Sequence, residues 1–113
     1  MTIEQKLSAI KKLDANVLLQ ISEGSSLSMF ERYEQITVHK FSIKLDYQFY
    51  KNGELIQAAL FCINPTVYNW PKAWGAHFKN KIILKSQIER MIIASSFLSS
   101  EVDRILFEIR SKE

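Results

Sequence analysis

The chain holds a single cysteine, Cys62, among 113 residues, so no intramolecular disulfide can form and the usual staple of small secreted domains is missing. Glycine occurs only at 24, 53 and 75, and proline only at 65 and 71. Three scattered glycines make neither a phosphate-cradling loop nor a dinucleotide fingerprint, and so few breakers leave little room for long linkers. No apolar run approaches the roughly 20 residues of a membrane-spanning helix. The opening Met1-Thr2-Ile3-Glu4-Gln5-Lys6 lacks a basic start followed by an apolar stretch, so no secretory leader is expected. These absences lead us to expect a soluble, cytoplasmic protein with no cofactor and one domain spanning residues 1–113.

What is present is ordinary globular composition, 47% apolar and 24% charged, with a net charge of +3. The positive excess is local. Between residues 64 and 90, Lys72, Lys79, Lys81, Lys85 and Arg90 face Glu89 alone, whereas the rest of the chain is close to neutral.

Periodicity predicts helices at both ends. Ile3, Leu7, Ile10, Val17, Leu18 and Ile21 recur at helical spacing over 3–22, Thr2 and Gln5 fit a capping box, and Gly24 is a natural stop. Residues 25–34 read as a serine-rich loop with one short turn. From Ser86, itself fit to cap with Glu89, the positions Ile88, Met91, Ile92, Ser95, Leu98, Val102, Ile105, Leu106 and Ile109 form a stripe expected to face the core. Ser99-Ser100 suggests a break or kink into two helices.

The middle reads as sheet. Phe41, Ile43, Leu45, Tyr47 and Phe49 alternate with polar residues, Asn52-Gly53 is a strong hairpin signal, and residues 55–63 would return as the second strand. A bulge near His39-Lys40 would bring Ile36 and Val38 into phase. Ile82, Ile83 and Leu84 suit a third strand or a helix entry. The expected fold class is therefore α+β: an N-terminal helix, a two- to three-stranded antiparallel sheet centred on the Asn52-Gly53 turn, and a C-terminal helix or helix pair on one sheet face.

Catalytic sets are hard to assemble. His39, His77 and Cys62 have no metal-binding partner at short spacing, so no metal site is expected. The hairpin register turns Cys62 inward, as a buried structural thiol rather than a nucleophile. No serine lies in a Gly-X-Ser-X-Gly elbow, and Asp46, Glu54 and Asp103 read as surface charges rather than an acid–base pair. An enzyme is not expected.

One segment, 68–81, concentrates unusual chemistry. Tyr68, Trp70, Trp74 and Phe78 interleave with Lys72, Lys79, Lys81 and His77, and both tryptophans of the chain are here. Three readings fit. Trp70, Trp74 and Phe78 could fold back as a lid on the sheet or, being spaced by four, make one face of a short helix. The aromatics could anchor a protein interface with an acidic partner. Or they could stack on bases while lysines of 68–85 neutralise phosphates. The leading expectation is a small protein-binding module, an inhibitor or immunity protein that occludes its partner. The alternatives are a nucleic-acid-binding domain and a homo-oligomeric structural protein, the latter using the second hairpin face of Leu55, Phe61 and Ile63 as a homodimer contact. No membrane partner is expected.

Overall fold

The computed structural model describes residues 1–19, 23–37 and 50–112. Among them every regular element is helical: α1 (Ile3–Lys11), α2 (Ala15–Leu19), α3 (Glu23–Thr37), α4 (Glu54–Ile63), a 3₁₀ turn (Lys72–Trp74), α5 (Ala76–Ile83) and α6 (Gln87–Ser111). The α+β expectation is overturned, since no strand occurs among the described residues.

The reason lies in residues 54–63. Leu55, Ala58, Ala59 and Cys62 are buried, whereas Ile56, Gln57 and Ile63 are exposed. Inward positions at i, i+3, i+4 and i+7 are the face of a helix, and a nearly continuous apolar run carries that period as readily as a period of two. The glycine does adopt positive φ, 87° at Gly53, but as the residue that opens α4. The Gln57 amide donates to the Gly53 carbonyl at 2.9 Å, starting the helical ladder where a hairpin turn was expected. The other arm, residues 41–50, lies outside the described residues except for Tyr50, as does the expected bulge at His39-Lys40. Ile82 and Ile83 end α5 instead of forming a third strand.

The N-terminal helix is divided. Thr2 and Gln5 form the expected capping box, with Thr2 N–H donating to Gln5 Oε1 at 2.8 Å and Gln5 N–H to Thr2 Oγ1 at 3.1 Å. The helix stops at Lys11, and Asp14 Oδ1 accepts from the Val17 amide at 2.9 Å to start α2. Gly24 is not a stop but lies in the first turn of α3, which occupies the stretch expected as loop. Its cost of about 1 kcal/mol against alanine is offset by docking of α3 on α6, where Gln35 is buried and Arg32 Nη2 lies 3.7 Å from Asp103 Oδ2.

α6 is the spine of the fold, packed against both α4 and α3. Ser86 caps it, accepting from the Glu89 amide at 3.2 Å. No break occurs at Ser99-Ser100. Their hydroxyls donate back to the carbonyls of Ser95 and Ser96 at 3.1 and 3.0 Å, satisfying both groups inside a continuous 25-residue helix.

The core gathers Leu55, Ala58, Ala59, Phe61 and Cys62 of α4, Trp70, Ile82 of α5, and Ile93, Ala94 and Phe97 of α6. The small buried residues Ala58, Ser96 and Ser100 leave room for close helix approach. The apolar stripe expected to face inward does not. Ile88, Met91, Leu98, Val102, Ile105 and Ile109 are all exposed.

Candidate functional site

The 68–81 segment is shaped by three local devices. Asn64 ends α4, and its Oδ1 accepts from the backbone and side chain of Thr66 at 3.2 and 2.7 Å. Pro71, fully buried with φ −57°, leads into the 3₁₀ turn. Gly75 then takes φ 71° and ψ 177°, a region almost closed to residues with a Cβ, and launches α5.

This path folds the tryptophans inward. Trp70 is 6% exposed, with its ring 5.5 Å from Phe61, 5.3 Å from Trp74 and 6.3 Å from Phe97, each edge-to-face. Its Nε1–H donates to the Gly75 carbonyl at 2.9 Å. Trp74 is half-buried, 5.6 Å from Phe97 and 4.8 Å from Tyr50. Offset and edge-on rings of this kind favour one another beyond their area alone.

Beside this cluster lies a cleft of about 250 Å³. Trp70, Trp74, Ile82, Ile93 and Phe97 line it with apolar surface, joined by Phe78. Its lining also includes Glu31, Glu34 and Gln35 of α3 and Lys81 and Lys85, at and just beyond the end of α5. The cleft is therefore mainly apolar with both signs of charge in its lining, Lys85 also pairing with Glu89 at 3.7 Å. The Nε1–H of Trp74 is buried and meets no acceptor among the described residues, which is costly for a donor removed from water.

Of the residues singled out from sequence, Trp70, Trp74, Phe78 and Lys81 come together in this cleft. Lys72 and Lys79 instead flank a separate depression with Gln57 and Asn69, touching Trp70 from another side. Tyr68 and His77 are exposed, His77 lying edge-on to Phe78 at 5.5 Å. Sequence reasoning missed the α3 contribution. Glu31, Glu34 and Gln35 fall at i, i+3 and i+4, a signal of one helical face that becomes visible once the stretch is read as helix.

The other candidate groups assemble no reactive set. Cys62 is sealed in the core, and burial pushes its thiol up to about 12, with the Arg90 charge pulling the other way. Arg90 Nη1–H donates to the Cys62 carbonyl at 3.1 Å, not to its sulfur. Burial raises the Asp103 carboxyl above its ordinary range despite Arg32 and Arg110. Glu54 accepts from the Asn52 amide at 3.2 Å. Asp46 and His39 lie outside the described residues. No group of three or more metal-ligating side chains occurs among the described residues, and no described helix is long and apolar enough to cross a membrane.

Compared with known protein families, curated proteins and solved structures, the chain matches none.

Proposed function

We propose that this chain is a protein-binding module that takes an apolar side chain of a partner segment into the cleft between α3, the tryptophan turn and α5. The observation that carries the reading is an apolar cleft lined by Trp74, whose Nε1–H is buried without an acceptor among the described residues and would gain one by a small turn of the indole toward the cleft. A peptide supplies both complements at once, an apolar side chain to fill the volume and a backbone carbonyl to accept the indole proton. Glu34 and Lys81, a carboxylate and an ammonium in the cleft's lining, would orient a peptide with flanking charges. Recognition of this kind occludes the partner's own surface and needs no catalytic group, which suits an inhibitor. The reading places the protein inside the cell, where a lone buried thiol requires no partner.

Panning a displayed library of short peptides against the protein tests this. The expected selection is a single apolar or aromatic anchor, with acidic residues on the side that meets Lys81 and Lys85. Phe78→Ala should weaken the selected peptides about tenfold while helix content is kept, as expected for loss of one contact of some 1.4 kcal/mol. Peptides that bind Phe78→Ala and the parent protein equally, or no enrichment at all, would remove the proposal.

A further inference from the structure

The outward stripe of α6 is a strict heptad seam. Ile88, Met91, Ser95, Leu98, Val102, Ile105 and Ile109 alternate spacings of three and four over the whole helix. At about 100° per residue the seam centres opposite Ser100, and Ser100 is one of the most deeply buried residues of the chain. The helix is thus buried on one face and apolar on the opposite, exposed one. The first packs on α4 and contributes Ile93 and Phe97 to the core; the other has its six apolar seam residues between 41 and 70% exposed. An exposed apolar stripe running the length of a helix whose other face is already buried marks a contact surface.

From these observations we infer that the protein self-associates by pairing α6 with α6 of a second copy along this seam. Three features select a copy of the same chain. The seam is about 32 Å long at 1.5 Å per residue, whereas α1, which reaches α6 through the Glu4–Arg110 ion pair, has nine residues, or about 14 Å, and cannot cover it. The seam exposes on the order of 500 Å² of apolar surface, at the upper end of what a monomer displays. With Ile92 and Leu106 beside it, a helix pair of this length approaches the ~800 Å² per partner of a stable interface. Finally, knobs-into-holes packing requires the same repeat on both helices, and a second copy presents it by symmetry. The seam and the cleft lie on opposite faces of α6, so this inference stands apart from the proposed function.

Sedimentation of the full chain over a wide concentration range tests it. The parent protein should sediment as a dimer. Leu98→Lys/Val102→Lys should weaken association at least about a hundredfold with unchanged helical circular dichroism and unchanged peptide binding at the cleft. Should that variant unfold, Leu98→Cys/Val102→Cys gives an independent reading. Mild oxidation should link two copies through this pair, and a cysteine placed at Lys72 should not. A parent protein that stays monomeric throughout, a dimer unaffected by the lysines, or cross-linking no faster than at Lys72 overturns the inference.

Discussion

Trp70 and Gly75 are joined by a hydrogen bond from indole Nε1 to the glycine carbonyl, 2.9 Å long, that closes the turn between α4 and α5. The bond holds one wall of the cleft, and it depends on a backbone that only glycine adopts readily, φ 71° and ψ 177°. A Cβ at Gly75 would meet no atom within 4 Å, so the cost of Gly75→Ala is conformational alone. It should destabilise the protein by about 1–3 kcal/mol. Trp70→Phe loses the hydrogen bond and part of the ring and should cost a similar amount. Urea denaturation followed by circular dichroism checks both, and a midpoint unchanged in both variants would show that this turn is not stabilised as described.

Cys62 is predicted to be unreactive in the native state. Its folded pKa, about 12, lies above the ordinary 9.0. Stability from keeping this thiol protonated is fully present below pH 9 and is lost as pH rises toward 12. Replacement by alanine should therefore lower stability at pH 7 through cavity formation, yet flatten its decline above pH 9. Denaturation of both proteins from pH 7 to 11 measures the two slopes. A thiol reagent should modify the parent only at the rate of unfolding.

Glu101 and Arg104 form an ion pair within α6, both buried, and Arg104 also reaches Glu108 at 3.3 Å. Glu101 Oε2 meets no partner among the described residues. Removing Arg104 strands Glu101, so Arg104→Met alone should cost about 3–5 kcal/mol, whereas Glu101→Leu alone should cost less because Arg104 keeps Glu108. Glu101→Leu/Arg104→Met should recover most of the larger loss, because desolvation of the pair offsets much of its attraction. A double-mutant cycle measured by denaturation gives the coupling directly; additive losses would contradict it.

Local signals were legible where chemistry is short-range. The capping box at Thr2 occurs as read, and Ser86 caps its helix through the Glu89 amide; Gly53 takes the expected positive φ, but at a helix start. What misled was the use to which such signals are put. Asn52-Gly53 fits a hairpin turn and a helix start equally well, and residues 55–63 offer both periods; the inward choice of Leu55, Ala58, Ala59 and Cys62 is made by α6, which the local pattern does not contain. The same holds for α6 itself. Its most regular stripe faces outward, and its inner face carries Ser96 and Ser100, small residues suited to close helix approach, together with the charged Glu101 and Arg104, whose burial no local pattern announces. The aromatic segment was found because its composition is unusual. Its division into a buried Trp70, a half-buried Trp74 and an exposed Tyr68 follows from the turn at Pro71 and Gly75 rather than from spacing by four.

The cleft is tested most directly through the two indole N–H resonances of the protein in a ¹⁵N spectrum. N-acetyl-phenylalaninamide carries the two complements assigned to the partner, an aromatic side chain and a carbonyl acceptor. On its addition the Trp74 indole resonance should move progressively downfield, while that of Trp70, already bonded to Gly75, should move little. A Trp74 resonance that does not respond, or shifts confined to residues away from Trp74, Phe78 and Ile82, would contradict the account.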